Sequence, residues 1–172
     1  AEMAPLGGRV VRVPGAAKRI GSGTALRLFQ AGARVAIHYG DSEDAARATA
    51  AECGNAPVFQ ADLERVSEIE RLFADVEQHF GRIDGLVNNA ARFTRFDPLE
   101  IAEADWDFIN DVNLKATFFC CQEGARKMKK EGAGRIGNIS ALEGIRPGAE
   151  HPIYAADKDT ARMPPKTLAT VV

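Results

Sequence analysis

Ser140, Tyr154 and Lys158 are the residues of this chain whose types and spacing suit proton chemistry. A hydroxyl stands just past an apolar, strand-like run, and a phenol follows with an amine four residues beyond it. On one helix, Tyr154 and Lys158 fall on the same face about one turn apart. An ammonium beside a phenol favours the phenolate and lowers the phenol pKa from its reference of about 10. A phenol so tuned passes a proton to or from an alcohol or carbonyl oxygen, and Ser140 is placed to hold that oxygen. A Tyr and a Lys four apart are also common on solvated helix faces, so the elements that position them decide the matter.

A second group suits anion binding. Val13-Pro14-Gly15-Ala16-Ala17-Lys18-Arg19-Ile20-Gly21 joins the first strand to the first helix. Glycines there admit a pyrophosphate close to the backbone, and a helix N-terminus supplies amide donors and a positive dipole end. The G-x-G-x-x-G pattern is absent, so position carries the reading: the turn follows the first strand and opens the first helix. The second strand ends at His38-Tyr39 and not at an acid, which leaves room for a 2′-phosphate on the adenosine ribose. Lys18, Arg19 and Ser42 are donors for that phosphate, although Asp41 argues the other way. The expectation is NADP over NAD.

The chain of 172 residues suits one domain, expected to span residues 1–172. Its 45% hydrophobic and 27% charged residues are ordinary for a globular protein. A net charge of -2 gives no reason to expect nucleic acid or an anionic membrane as a partner. Cys53, Cys120 and Cys121 form no C-x-x-C pair, and His38, His79 and His151 are scattered, so no metal site is expected. Reduced thiols suit a cytoplasmic setting. No signal peptide and no apolar run of membrane-spanning length is read.

Strands are expected at Arg9–Val13, Arg34–Tyr39, Pro57–Gln60, Ile83–Val87 and Arg135–Ile139, from short β-branched or apolar runs. Helices are expected over Thr24–Ala31, from Ser42 as N-cap to about Cys53, from Ser67 to a stop at Gly81, over Ala104–Lys130, and over Pro152–Ala161. Strands alternating with such helices call for an α/β fold, a Rossmann-type doubly wound parallel sheet of order 3-2-1-4-5. Ligands then bind at the switch point beside the first strand.

Four signals stand in order: Gly15-Ala-Ala-Lys-Arg-Ile-Gly21, Asp62-Leu63, Asn88-Asn89-Ala90-Ala91, and Ser140 with Tyr154 and Lys158. Together they resemble the short-chain dehydrogenases/reductases, most in look the 3-oxoacyl-carrier-protein reductase and pteridine reductase-like members. The resemblance implies hydride transfer between NADP(H) and a small-molecule carbonyl or alcohol. It makes Tyr154 the general acid/base, Lys158 its pKa-lowering neighbour and ribose ligand, Ser140 the residue that orients the carbonyl, and Asn113 the fourth member of a proton relay. It assigns cofactor binding to Gly15, Arg19, Ile20, Gly21, Tyr39, Ser42, Asp62, Leu63, Asn89, Ala90, Tyr154 and Lys158, with Asp62 on the adenine amino group. It also implies a homodimer or homotetramer.

The chain departs from that pattern in places. Pro14 replaces a Thr, Arg19 a common glycine, Ala91 the last glycine of Asn-Asn-Ala-Gly, and Asp157 the Ser before the lysine. Ala91 is strained if its position needs positive φ. Gly137 weakens a strand expected deep in the sheet. Pro164-Pro165 is expected to break the last helix near Met163. Family members run further, through a sixth strand, a substrate-covering loop and a seventh strand, so the domain is expected to be incomplete at the C-terminus. The alternatives are a catalytically silent nucleotide-binding fragment or truncated relative, and an epimerase or dehydratase, against which the Asn-Asn-Ala motif argues. Arg92, Phe93, Arg95, Phe96, Trp106 and His151 are candidates to line the substrate site.

Overall fold

The computed structural model describes residues 5–146, 150–161 and 164. Strands β1 (Val10–Val13), β2 (Arg34–Tyr39), β3 (Val58–Gln60), β4 (Gly85–Asn88) and β5 (Arg135–Asn138) alternate with helices. The helices are α1 (Arg19–Gln30), α2 (Glu43–Glu52), α3 (Val66–Phe80), α4 (Glu103–Asn110), α5 (Ala116–Glu131) and α6 (Pro152–Thr160). The described strands form one sheet in the order β3-β2-β1-β4-β5, with every neighbouring pair parallel. This is the doubly wound order expected from the strand–helix alternation.

Each face of the sheet buries its own core. Val11, Val13, Val35 and Ile37 pack with Ala25, Ala46 and Ala50 of α1 and α2. On the other face Ala36 and Leu86 pack with Ile69, Leu72, Phe73 and Val76 of α3 and with Cys120 of α5. β1 and the middle of β2 are buried on both sides, which is why those runs read as continuous rather than alternating. Parallel pairing brings the C-terminal ends of all five strands to one edge. Candidate site residues lie at that edge: Gly15, Ser42, Asp62, Leu63, Asn89, Ala90 and Ser140 on the loops that follow the strands, Tyr39 at the end of β2, Arg19, Ile20 and Gly21 at the start of α1, and Tyr154 and Lys158 on α6.

Several boundaries differ from expectation. Helix α1 begins at Arg19, five residues before Thr24. Gly21, in its first turn, lies where a Cβ would overlap Gly15 O, so the close approach there admits only glycine. The fourth strand begins at Gly85 because Asp84 is a bracket: its carboxylate accepts from Val10 N at 2.9 Å, from Arg9 and from Arg82. These bonds hold the Asp84 pKa at about 2 against burial, the largest single influence, which raises it. The long Ala104–Lys130 helix is continuous but widens into a π-helical turn at Asp111–Lys115. Ser42 is the N-cap of α2 but makes no side-chain capping bond.

Gly81 (φ 80°) and Gly132 (φ 71°) stop α3 and α5 in the left-handed region, as glycine C-caps should. Ala91 is not strained: among the described residues only Arg19 (φ 55°) and Asn55 (φ 59°) are non-glycines at positive φ. Gly137 is solvent-exposed on β5, the last of the five described strands in the sheet order. Met163 and Pro165, where a helix break was expected, lie outside the described residues.

Candidate active site

Helix α6 carries Tyr154 and Lys158 and packs against the loop that follows β5. Pro152 in its first turn suits a helix start, since that position needs no N–H donor. The loop and helix are fastened twice. Ser140 Oγ donates to Lys158 O at 2.8 Å, and Lys158 Nζ donates to Ile139 O at 3.0 Å. The short 3₁₀ turn at Leu142–Gly144 lies so close that a Cβ on Gly144 would stand 2.9 Å from Asp159 N. Ser140 and Lys158 thus meet at the C-terminal end of β5, with Tyr154 one turn before Lys158 on α6.

Lys158 Nζ lies 5.4 Å from the centroid of the Tyr154 ring. The expected lowering of the phenol pKa is not found in the protein alone. Burial, and then the charge of Glu143, push Tyr154 up. Burial also lowers Lys158, with Asp157 opposing. The amine is turned to the Ile139 carbonyl, so its charge is spent there rather than on the phenol.

Asn113 sits in the π-helical turn and is 1% exposed. Its Oδ1 accepts from Arg92 N at 2.7 Å and its Nδ2 donates to Arg92 O at 2.9 Å. It therefore pins the backbone of the loop after β4, and its amide lies close enough to Asp157 on α6 to favour the ionised carboxylate. Asp157 is 1% exposed, with one carboxylate oxygen unpartnered among the described residues. Burial raises its pKa from 3.8 to about 6 despite Lys158 and Asn113.

Tyr154 also belongs to an aromatic group. Phe93 stacks on His151 with centroids 4.3 Å apart and meets Tyr154 edge-on at 4.9 Å. Arg95 pairs with Glu150 at 3.4 Å, and Phe96 N donates to Glu150 O at 3.0 Å, joining this loop to the start of α6. Arg92 is held by Glu64 and lies over the Phe108 ring. Trp106 is on the exposed side of α4.

The other expected residues gather at the β1–α1 corner. Gly15 (φ 71°) approaches Ala90 so closely that a Cβ would stand 2.8 Å from Ala90 Cα. Asn89 Nδ2 donates to Gly15 O at 2.9 Å, fastening the turn to the end of β4. Gly21 fills the inside of the turn, while Arg19 and Ile20 face solvent. The N-cap of α1, Lys18, makes no side-chain capping bond, so the amides of the first turn are not capped from within. Tyr39 and Ser42 are half-buried at the end of β2 and the start of α2. Asp62 Oδ1 accepts from Glu64 N at 3.0 Å and pairs with Arg65 at 3.5 Å. The Leu63 side chain lies in the core.

Two residues of this site escaped the sequence reading. His38, passed over as scattered, is buried and bonds Gly15. The available signal was a polar residue inside an otherwise apolar strand. Glu143 acts on Tyr154 across a loop, and no local pattern announces it. Among the described residues no group of three or more His, Cys, Asp or Glu side chains could hold a metal ion, and no helix is long and apolar enough to cross a membrane. All three cysteines are buried free thiols.

The geometry can be compared with known proteins. The family model for short chain dehydrogenases matches residues 9–171. The chain is 35% identical to a short-chain type dehydrogenase/reductase of Picea abies, over 95% of this chain and 65% of that protein. It is 34% identical to a 3-oxoacyl-[acyl-carrier-protein] reductase of Synechocystis, over 91% of this chain and 65% of that protein. The solved structure of a Serratia marcescens short-chain dehydrogenase/reductase double mutant superposes with a TM-score of 0.83 at 34% identity, covering 91% of this chain and 65% of that one. The chain thus spans just under two thirds of the length of these relatives. Sheet order, the Gly15–Asn89 corner and the matching family model lead to one conclusion: the chain belongs to the short-chain dehydrogenase family.

Proposed function

We propose that this chain carries the cofactor corner and the proton-transfer group of an oxidoreductase that moves a hydride between NADP(H) and a small carbonyl or alcohol. The observation that carries the reading is the fastening of the Ser140 loop to α6 at Lys158, whose Nζ lies 5.4 Å from the Tyr154 ring centroid, at the end of β5 on the same sheet edge as the glycine turn. The 3-oxoacyl reductase among the relatives is consistent with a carbonyl substrate.

The corner fits a dinucleotide. Gly15 and Gly21 let the turn close tightly on Ala90, Asn89 and Gly15 O, and the uncapped start of α1 offers amide donors to a phosphate. Gly15, Gly21, Asn89 and Ala90 would hold the pyrophosphate side, Asp62 and the Leu63 backbone the adenine side, and Lys158 the nicotinamide ribose. Arg19 and Lys18 are exposed and make no ion pair among the described residues, and β2 ends in Tyr39 without an acid, which favours a 2′-phosphate. When bound, the nicotinamide supplies or accepts the hydride. Ser140 Oγ would leave Lys158 O to hold the substrate oxygen, and Tyr154 would give that oxygen its proton. Lys158 would have to turn from Ile139 O for its charge to act on the phenol.

Replacing Tyr154 by Phe tests the mechanism. NADPH oxidation with a panel of ketones should vanish, while thermal stabilisation by NADP remains. Undiminished turnover in Tyr154→Phe would overturn the assignment. A second reading, nucleotide binding without catalysis, is favoured by the upward push on the Tyr154 pKa. It predicts nucleotide-induced stabilisation of the unaltered protein with no turnover of any ketone.

A further inference from the structure

His38 is 3% exposed and ends β2 on the face that carries Arg12. Gly15 N–H donates to His38 Nδ1 at 3.1 Å, and the opposite ring nitrogen, Nε2, lies 3.0 Å from Ala61 O. A nitrogen that accepts from a backbone amide carries no proton, so Nε2 bears it and donates to Ala61 O. One neutral ring thereby spans the loop after β1 and the loop after β3. Main-chain bonds follow the same path: Ala16 N donates to His38 O at 3.2 Å, and Ala61 N to Tyr39 O at 3.2 Å.

Gly15 is therefore gripped on both sides, its N–H by His38 and its carbonyl by Asn89. Asn89 was expected as a cofactor residue, and neither of the two bonds to Gly15 was read from the sequence. Ala61 immediately precedes Asp62, so the ring also sets where the adenine-side loop begins. Nothing else among the described residues is given to the Gly15 N–H as an acceptor. One buried cation shares the sheet face with the ring: Arg12 on β1, its guanidinium 4.2 Å from the Phe73 centroid, opposes a positive charge on His38. Burial first, and then the Arg12 charge, hold the His38 pKa down at about 3, which keeps the ring in the one form that can both accept and donate.

We infer that His38 is a positioning residue for the nucleotide, setting the Gly15 turn and the Ala61–Asp62 loop at a fixed separation through its neutral, Nε2-protonated ring. The inference rests on the proposed nucleotide binding, because its consequence is affinity for the phosphate and adenine ends of a dinucleotide. The side chain never touches the ligand. It acts through the backbone of Gly15 and Ala61.

Three variants separate the two bonds. In His38→Asn the Oδ1 replaces Nδ1 as acceptor for Gly15 but falls short of Ala61. In His38→Gln the longer amide reaches Ala61 but loses the Gly15 acceptor position. His38→Leu makes neither bond. Binding of NADPH, read by its fluorescence, is expected within about threefold of the unaltered protein for Asn and at least about tenfold weaker for Gln and Leu. Rescue by Asn over Gln is the result that a merely space-filling role would not produce. Amide hydrogen exchange is measured beside it on the ligand-free protein. Gly15 should exchange faster in Gln and Leu than in Asn, and a nitrogen-15 spectrum of the unaltered protein should show Nε2 protonated across pH 5 to 8.

If the unaltered protein binds no dinucleotide, the proposed function fails while the Gly15 exchange still decides the role of His38. Equal Gly15 exchange in all four proteins, or Leu binding NADPH as tightly as His, would overturn the inference. If Leu does not fold, Asn against Gln decides alone, and equal behaviour of those two would overturn it.

Discussion

The buried carboxyl of Asp157 gives the sharpest quantitative test of the site's electrostatics. Its pKa is raised from 3.8 to about 6, with burial the largest cause. The native state therefore binds more protons at this position than the unfolded chain between about pH 4 and pH 6. Stability from this group is fully present below about pH 4 and falls as pH rises to about 6, then stays level. A shift of about two units corresponds to about 3 kcal/mol. Asp157→Asn keeps the shape and the contact with Asn113 but cannot ionise. Urea unfolding of both proteins from pH 4 to pH 8 should give curves that meet near pH 4 and separate by up to about 3 kcal/mol, with the Asn variant more stable above pH 6.

Taking the difference between the two proteins removes the other buried groups. The depressed pKa of His38 makes stability fall as pH drops below the ordinary histidine value, the opposite sign in the same window. Asp84, held at about 2, acts only below about pH 4. Loss of the Asp157 charge also withdraws support from Lys158, which works against the gain. A stability difference independent of pH, or an Asn variant less stable at pH 8, would refute the argument that desolvation dominates at Asp157.

Three further outcomes are expected. Gly21→Ala should destabilise the turn and abolish NADPH binding measured by fluorescence, because its Cβ would overlap Gly15 O and crowd Asn89 Nδ2 at 2.6 Å. Arg19→Gly should relieve the left-handed backbone at φ 55° by about 1 kcal/mol in urea unfolding, while lowering the preference for NADPH over NADH by about tenfold. Arg12→Leu should raise stability by about 1–4 kcal/mol, because the buried guanidinium has a thiol, Cys120 Sγ at 3.7 Å, as its hydrogen-bond acceptor and two nitrogens without a partner. A less stable Arg12→Leu protein would show that its contact with Phe73 outweighs the cost of burying the charge.

Local order along the chain was enough for the sheet. Apolar runs such as Arg34–Tyr39 can only be strands buried on both faces, and the helices between them leave parallel pairing as the way to cover those faces. Gly81 and Gly132 were readable as helix stops because a positive φ is a property of one residue. The order of the glycine turn, Asn88-Asn89 and Tyr154 with Lys158 named the family without coordinates. What the tertiary structure alone decided depends on groups distant in sequence. Gly21 must be glycine because a Cβ there would overlap Gly15 O. His38 grips Gly15 from 23 residues away. The charge of Lys158 goes to Ile139 O and not to the phenol, and Glu143 with burial raises Tyr154 instead. Desolvation and side-chain direction are set by packing, and no spacing along a chain encodes how deeply a carboxyl such as Asp157 is buried.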